Sequence, residues 1–341
     1  MSARVLVVGA GAIGGITAAH LARAGQEVVV LDANAEHVAL LGHPGLQLDH
    51  LGTPITVPIQ AVTSADKLEG HFDFALLTLK AGFLAPALTE LLKHDVVSDY
   101  VCLGNGLVQD VVEGLVGSER LLIGVTEWGG TNLGPGRLAQ TTIAPFIIGE
   151  PAGGTERLER LAGALGHVAE VVVTDRISSH VWSKLLLNST FSGLGAISGG
   201  LYSDVAAHEV GRRLAYRVWT EGYDVATAAG VDLDPILGVD PRDLVVRTTA
   251  DEPRASQAVD HIVARLGATK ASMLQDLERG ALTEVDVING GVVTTARRVG
   301  VAAPRANMEI VEYVHHCEGG SARPEPASFD RVAEAVEVWG R

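Results

Sequence analysis

Short runs of consecutive apolar residues alternate with helical segments through the first half of the chain. The runs Val5–Val8 and Val28–Leu31 flank a helical segment at Ile13–Ala24, which ends before Gly25. Strands that are apolar at every position are typical of a parallel sheet, because helices cover both of its faces. The pattern also predicts a helix at Ala35–Leu41, strands at Phe74–Leu79, Tyr100–Leu103 and Leu121–Thr126, and antiparallel edge or return strands at Arg137–Thr142, Phe146–Gly149 and Val168–Val173.

Long helical patterns replace this alternation after about Asp175. They cover Ser178–Leu194, Ala206–Ala229, Gln257–Arg265, Met273–Leu277, Glu284–Val299 and Ala306–Cys317. We therefore predict an α/β fold: a Rossmann-type doubly wound parallel sheet over residues 1–175, followed by an all-α C-terminal domain over 176–341. Residues 319–327 contain two glycines and two prolines and predict a linker. The linker leads to a terminal amphipathic helix, Phe329–Trp339, that would dock on the body or on a partner subunit, so a homodimer is plausible.

The amino-acid composition argues against several classes of function. The 341 residues include 26 basic and 41 acidic side chains, a net charge of −15, and aromatic residues make up 4%. Such a chain repels phosphate backbones and offers few rings for base stacking, so we expect no nucleic-acid binding. The two cysteines, Cys102 and Cys317, are too few for a disulfide framework or a cysteine-rich zinc site. No run reaches the roughly 18 apolar residues of a membrane span, and we expect a soluble, cytoplasmic protein.

A glycine motif, GAGAIG at residues 9–14, directly follows the first predicted strand and opens the first predicted helix. In a dinucleotide-binding turn, Gly9 would allow the tight bend, Gly11 would let the backbone approach the pyrophosphate, and Gly14 would let helix and strand pack closely. The pyrophosphate would then accept hydrogen bonds at the start of the helix. We predict that Gly9, Gly11, Ala12, Ile13 and Gly14 bind NAD(P).

Three further residues follow predicted strands of the same sheet. Asp32 ends the second strand, 18 residues beyond Gly14, where a carboxylate accepts hydrogen bonds from ribose hydroxyls. The same charge would oppose a 2′-phosphate by on the order of a few kcal/mol, which favours NAD(H). The alternative for Asp32 is that it caps a helix starting near Ala33. Lys80 and Asn105 would also face the cofactor, although each could instead be an ordinary turn residue.

A lysine interrupts an apolar helical stretch in the second half. Lys184, Asn188 and Ser192 share one helix face at spacings of four. A lysine in such surroundings fits a cleft, where burial lowers its pKa and makes the ammonium a usable proton donor. The alternative is that its stem covers the core while its amine reaches water.

Two polar stretches nearer the C-terminus look like helix starts. Ser272 and Gln275 have the spacing of a capping box, and Thr283 could cap a helix that carries Glu284. Taken alone, these residues are explained by capping as well as by catalysis.

Together with the glycine motif, these stretches resemble the ketopantoate reductase (2-dehydropantoate 2-reductase) family nearly end to end. The similar motifs are GAGAIGG (9–15), LKAG (79–82), GNGL (104–107), GPG (134–136), WSKLLLN (182–188), SMLQD (272–276) and TEVDVINGG (283–291).

The resemblance implies roles for the candidate residues. Lys184 would be the general acid, and Glu284 would orient both the lysine and the substrate hydroxyl, so the two side chains should meet. Asn188, Ser192 and Ser272 would bind the substrate. Asn105 and Glu284 would also lie beside the nicotinamide.

The expected reaction is reduction of a small-molecule 2-keto acid by NAD(P)H, converting 2-dehydropantoate to pantoate or acting on a close analogue. A different 2-keto acid, an opine-type imine and a non-catalytic dinucleotide sensor are the alternatives.

Three features depart from the family pattern. Many members have a basic residue after the second strand, where this chain has Asp32, so we predict NAD(H) against the family's usual NADP(H). Ser192 replaces a frequent asparagine. The segment 230–269 looks long, and Glu127 and Trp128 form an unusual pair; these changes leave the keto acid undetermined.

Other clusters are read as structural. The sequence His315-His316-Cys317 indicates a helix end, and the aspartates between 232 and 243 do not have calcium-loop spacing, so we predict no metal site. Thr126 and Ser203 lack a recognisable histidine–acid pair, which argues against hydrolase chemistry.

Overall fold

The computed structural model describes residues 3–150 and 156–336, and the chain divides into two compact units. The first unit runs to Gly104 and continues over Val108–Ile177. The second unit begins at Ser178 and also includes the three residues Asn105–Leu107. A short piece of the chain's first half is therefore part of the helical second unit.

The strands of the first unit are β1 (Val5–Val8), β2 (Val28–Leu31), β3 (Leu46–His50), β4 (Thr53–Val57), β5 (Gln60–Val62), β6 (Phe72–Leu77), β7 (Val97–Cys102), β8 (Leu121–Thr126), β9 (Gly130–Asn132), β10 (Arg137–Gln140), β11 (Phe146–Gly149) and β12 (Val171–Val173). Its helices are α1 (Ala12–Arg23), α2 (Ala35–Leu40), α3 (Ala81–Leu92), α4 (Gln109–Val116) and α5 (Glu156–Leu165).

The main sheet has the order β5-β2-β1-β6-β7-β8-β11-β12. Its strands run parallel except where β11 pairs antiparallel with β8. In register, Val5 of β1 lies between Val28 of β2 and Phe74 of β6. The chain moves outward from β1 first on one side and then on the other, so β1 and β6 form the switch point where open α/β sheets bind ligands. The predicted Rossmann-type fold is confirmed.

The central strands could be predicted from the sequence because they are completely buried. Every residue of β1, β2, β8 and β11 is buried, in keeping with their unbroken apolar sequences. Helix α1 packs against β1 and β2 with a face of small residues, including Ala18 and Ala19. The close approach of this helix positions the turn that precedes it.

A second, four-stranded sheet has the order β4-β3-β10-β9, and α1 packs against it as well. The sequence interpretation missed it and was wrong to place Arg137–Thr142 at the edge of the main sheet. Strand β10 instead pairs with β3 and β9. Strand β12 starts at Val171 and runs parallel to β11, not antiparallel. These strands are short, and β3 alternates buried and exposed positions, so they lack long apolar runs.

The helices of the second unit are α6 (Ile177–Leu187), α7 (Gly193–Ser198), α8 (Tyr202–Ala207), α9 (Glu209–Ala228), α10 (Glu252–Leu266), α11 (Ser272–Glu278), α12 (Asn289–Val299), α13 (Arg305–Glu318) and α14 (Ser328–Val336). Helix α9 packs against α8, α12, α13 and α14 and is central to this core. In the described ranges, no helix combines the length and apolarity needed to cross a membrane.

Several predicted helices are broken or shifted. The stretch Ser178–Leu194 is interrupted by a π-helical turn, Asn188–Ser192, and α12 begins at Asn289, so Glu284 precedes the helix. The predicted linker is fixed to the body, since Glu325 N donates to Ile197 O at 3.0 Å. In the terminal helix, Phe329 and Val332 are buried; the predicted positions 337–339 lie outside the described residues. The long segment 230–269 supplies α10, which packs on α8.

A buried histidine links the small sheet to α1. His20 Nε2 and His50 Nδ1 each lie 2.9 Å from Gln140 Oε1, so both nitrogens donate to one amide oxygen. Burial lowers the pKa of His20 below its ordinary value of 6.5, although the bond to Gln140 opposes this shift. The neighbouring His50 and Arg23 charges lower it further.

We expect the free energy of unfolding to fall as the pH drops below 6.5, because the unfolded chain then binds a proton that folded His20 resists. Urea denaturation at about pH 7.5 and about pH 5.5 measures this fall. It should be smaller in His20→Gln and unchanged in His94→Gln, whose side chain is exposed. An equal fall in wild type and His20→Gln would contradict this assignment.

Candidate active site

The glycine turn after β1 is shaped by close packing. Gly9 has a φ of +94°, which disfavours any side chain. A Cβ on Gly14 would lie 2.0 Å from Gly9 O and 2.3 Å from Thr78 Oγ1, and a Cβ on Gly15 would lie 2.4 Å from Leu138 Cδ1. Consequently, Gly14 lets α1 approach β1 at a distance that only glycine permits, and Gly15 leaves room for the side chain of Leu138.

Gly11 is different, because a Cβ there would meet no atom within 4 Å. It is the N-cap of α1, and no side chain of this residue caps the first-turn N–H groups of the helix. A helix N-terminus of this kind, reached by side-chain-free backbone, fits the pyrophosphate of a dinucleotide.

Asp32 supports the turn from the end of β2. Its Oδ2 accepts from Ala10 N at 2.7 Å and its Oδ1 accepts from Asn34 N at 2.9 Å. The alternative that Asp32 caps α2 is wrong, since Asn34 is the N-cap and accepts from His37 N at 3.0 Å. The carboxylate is partly exposed and retains lone pairs for a ribose.

His37 holds the other side of the same turn and was missed in the sequence. Its Nε2 lies 2.9 Å from Ala10 O, and its Nδ1 accepts from Gly136 N at 2.8 Å. Both backbone groups of Ala10 are therefore fixed by side chains, the N–H by Asp32 and the carbonyl by His37. Gly136 lies in the GPG motif, which gave no indication of this contact.

Lys80 is the N-cap of α3 and is partly buried. It follows β6, the strand that neighbours β1. Two residues earlier, Thr78 Oγ1 donates to Gly9 O at 2.7 Å. The chain leaving β6 thus contacts the glycine turn directly.

In the second unit, Asn105 Nδ2 donates to Glu284 Oε2 at 3.2 Å. The adjacent backbone reinforces this contact, because Leu107 N donates to Val287 O at 3.0 Å. Gly106 has a φ of +73°, and a Cβ on it would lie 2.3 Å from Val287 O. The structure therefore joins two of the predicted site residues, which are 179 positions apart.

Glu284 lies in an irregular segment, residues 283–288, which we call the acid-bearing turn. Thr283 Oγ1 accepts from Val285 N at 3.2 Å, so the predicted cap acts on this turn and not on α12. From α13, Glu318 Oε1 accepts from Thr283 N at 2.7 Å, and His315 Nε2 lies 3.0 Å from Asp286 Oδ1. These ties hold a buried carboxylate in a segment without regular structure.

Lys184 lies on a partly exposed stripe of α6 with His180 and Asn188. The neighbouring Leu185 and Leu186 are buried on the other side. The apolar sequence around Lys184 therefore belongs to the core-facing side of the helix, and the lysine itself is half-buried.

Asn188 is oriented by a chain of hydroxyl groups. Ser192 Oγ donates to Asn188 Oδ1 at 3.4 Å and lies 2.6 Å from the Tyr202 hydroxyl, which then donates to Ser192. Burial raises the pKa of Tyr202, although the bond to Ser192 opposes this shift, so the phenol stays protonated near neutral pH. The Asn188 NH₂ group is not used in this chain of hydroxyl groups. No sequence signal indicated Tyr202.

Ser272 is exposed at the start of α11, which packs on α7 and on the π-helical turn. The alternative capping box is wrong, because Ala271 is the N-cap and Gln275 Nε2 donates to Lys270 O at 3.2 Å. Helix capping therefore does not explain this serine.

The remaining features have structural explanations. Within the described residues, no group of three or more His, Cys, Asp or Glu side chains is arranged to hold a metal ion. Burial raises the pKa of the Cys102 thiol to about 11, so it is a poor nucleophile near neutral pH. Trp128 is buried edge-on against Phe146, whereas Glu127 is exposed.

Comparison with known proteins agrees with this arrangement. The family model described as Ketopantoate reductase PanE/ApbA matches residues 5–153, and its C-terminal counterpart matches residues 176–318. A 2-dehydropantoate 2-reductase of Mesorhizobium japonicum is 29% identical, covering 88% of this chain and 94% of the relative.

Solved structures show the same fold. A PanE/ApbA family ketopantoate reductase from Ralstonia eutropha is 25% identical with a TM-score of 0.79, covering 93% of this chain and 99% of that chain. A ternary structure of D-mandelate dehydrogenase with NADH and anilino(oxo)acetate has the same TM-score and coverage at 24% identity.

The two family models together span most of the chain, and the glycine turn they include has the shape that a dinucleotide needs. This protein belongs to the ketopantoate reductase family and is an NAD(P)-dependent oxidoreductase that acts on a CH–OH group.

Proposed function

We propose that this enzyme reduces the keto group of 2-dehydropantoate, or of a close 2-keto acid analogue, with NADH as the preferred reductant. The observation that carries the proposal is the hydrogen bond between Asn105 and Glu284, which joins the GNGL motif to the TEVDVINGG motif. This contact places an amide and a carboxylate together within the helical unit, where they can hydrogen-bond to a substrate hydroxyl and to a proton donor.

The proposed roles divide at the predicted domain boundary. Residues 1–175 bind the dinucleotide through the glycine turn, Asp32 and Lys80. Residues 176–341, with Asn105, bind the keto acid and protonate it. The geometry of the turn supports the first role, and the anchored acid-bearing turn supports the second.

When bound, the reduced nicotinamide supplies the hydride that adds to the keto carbon. The Lys184 ammonium donates a proton to the carbonyl oxygen as negative charge develops there. Glu284 accepts hydrogen bonds from the lysine and from the new hydroxyl, and Asn105 holds that carboxylate in place.

Substrate binding falls to the NH₂ group of Asn188 and the exposed hydroxyl of Ser272, both of which donate to a carboxylate or hydroxyl. Ser192 is 4% exposed and bonded to Tyr202 and Asn188. We therefore propose that it orients Asn188 and does not contact the substrate itself.

The substrate is tested by following NADH oxidation with a panel of 2-keto acids that includes 2-dehydropantoate and a bulkier aromatic member. The same panel with an added amine reports imine reduction of the opine type. Preference for 2-dehydropantoate supports the proposal, whereas turnover only with amine present, or with no member of the panel, refutes it.

Replacing Lys184, the proposed general acid, should lower the turnover rate and leave NADH binding unchanged. In Lys184→Ala we expect kcat to fall by ~10²–10⁴-fold, because the alkoxide loses its proton donor. The dissociation constant of NADH, measured by fluorescence titration, should stay close to that of wild type. Lys93→Ala removes an exposed lysine of the first unit and serves as the control. Unchanged kcat in Lys184→Ala would remove the lysine from the mechanism.

Cofactor preference should follow the charge at position 32. We expect wild type to have a higher kcat/KM with NADH than with NADPH, because the Asp32 carboxylate repels a 2′-phosphate. In Asp32→Asn the NADPH-to-NADH ratio should rise by ~10-fold or more. Taking the ratio cancels any general loss of activity. A wild-type preference for NADPH would contradict the proposed role.

Substitutions at two glycines of the turn should have different effects, one on stability and the other on NADH affinity. Gly14→Ala should lower the free energy of unfolding by about 1–3 kcal/mol, because its Cβ overlaps Gly9 O. Gly11→Ala, whose Cβ meets open space, should keep its stability and bind NADH ~10-fold more weakly. Denaturation and NADH titration of both variants check this; normal NADH affinity in Gly11→Ala would place the pyrophosphate elsewhere.

A further inference from the structure

We propose that Asn289 is a positioning residue whose side-chain amide holds the π-helical turn Asn188–Ser192 in register with the acid-bearing turn. The proposal rests on the proposed function, because it assumes the proposed roles of Lys184, of Asn188 at the start of the π-helical turn, and of Glu284 in the acid-bearing turn. Asn289 lies in the TEVDVINGG motif and has no part in the reaction proposed above.

The π-helical turn shifts the backbone hydrogen bonds where α6 meets α7. The N–H of Gly193 donates to Asn188 O and Thr190 O. In a regular α-helix this N–H would bond to the carbonyl four residues earlier, which is Ser189 O. Ser189 O instead accepts from Asn289 Nδ2 at 2.9 Å. The asparagine thus compensates for the bond that the π register removes.

The orientation of the Asn289 amide is determined by its partners. Its Nδ2 also donates to Asn307 Oδ1 at 3.0 Å. Asn307 Nδ2 in turn donates to Glu221 Oε2 at 3.1 Å, and a carboxylate can only accept. The sequence of bonds from Glu221 through Asn307 therefore aims the Asn289 NH₂ group at Ser189 O.

The anchor of this network is itself well fixed. Glu221 accepts from Ala306 N at 3.1 Å and Asn307 N at 3.2 Å, at the start of α13, and from Arg217 Nε at 3.0 Å. Asn289 and Asn307 are both fully buried. A charged group on α9 is thus connected, through two amides, to the backbone one residue after Asn188.

Packing around Asn289 leaves little room for adjustment. A Cβ on Gly193 would lie 3.0 Å from Asn289 Oδ1, so this glycine lets α7 approach the amide. Every residue of α7 is buried. If the turn reverted to α register, α6 would rotate relative to α7 by about 100°, the rotation of one helical residue. Lys184 and Asn188 would rotate with it.

The test compares a variant that loses only the hydrogen-bond donor of Asn289 with one that loses the donor and the side-chain volume. Asn289→Leu keeps a side chain of similar size and cannot donate to Ser189 O, and Asn289→Ala removes both. Val259→Ala is the matched control, because it creates a cavity in α10, a helix of the same unit that carries none of the residues assigned to the proposed site. For each variant kcat, KM, the NADH dissociation constant, Tm and the pH profile of kcat are measured.

We expect both Asn289 variants to lower kcat by ~10–100-fold while NADH affinity stays within about twofold, since a misplaced proton donor slows the chemical step. The pH profile of kcat should shift, because the environment of Lys184 changes. Val259→Ala should lower Tm and leave both kcat and the pH profile unchanged. Asn289→Leu, the variant that retains volume, keeps the comparison valid if Asn289→Ala fails to fold.

The two proposals fail in distinguishable ways. If wild type reduces no 2-keto acid, the proposed function is wrong. If wild type is active and Lys184→Ala impairs it, but Asn289→Leu keeps wild-type kcat and pH profile, the positioning role is wrong. A loss of kcat in Val259→Ala equal to that in Asn289→Leu at the same Tm would likewise overturn it.

Discussion

Close contact between backbone atoms at the glycine turn is the constraint on which the first unit depends. Helix α1 reaches β1 only because Gly14 places no side chain against the carbonyl of Gly9, and Gly15 leaves room for the Leu138 side chain of the small sheet. The turn between them has no core of its own. Its shape comes from hydrogen bonds to both backbone groups of Ala10, so the surface open to a dinucleotide is built before any ligand arrives.

In the second unit, hydrogen bonds likewise fix the shape of a segment that has no regular secondary structure. The acid-bearing turn precedes α12 and is held through polar groups on α13 and on the segment Asn105–Leu107. Hydrogen bonds to buried polar groups favour one arrangement, because losing such a bond leaves a buried donor or acceptor unsatisfied. The same principle governs the π-helical turn, where a displaced carbonyl is met by the amide of Asn289. Hydrogen bonds thus add to helix packing in fixing these two irregular turns.

Prediction from the sequence succeeded where local chemistry determines structure. Strands β1, β2, β8 and β11 were predicted at their observed bounds, because each is a short apolar run buried on both faces. The small sheet was missed, since its strands depend on partners far along the chain. Tyr202 and His37 were missed for a similar reason: a hydroxyl or imidazole acquires a role only through contacts that folding creates. The motifs identified residues such as Asn105 and Glu284, and only the structure showed their hydrogen bond.

Asp32 combines two tasks in one carboxylate, and this has an evolutionary consequence. Each of its oxygens accepts a backbone N–H, one of them in the glycine turn, and in the proposed function the same charge disfavours a 2′-phosphate. A lineage that replaced Asp32 with a basic residue, to accept a phosphorylated coenzyme, would also leave Ala10 N without its acceptor. Such a change would need a second, compensating substitution, so coenzyme choice in this chain is expected to drift slowly and in paired steps.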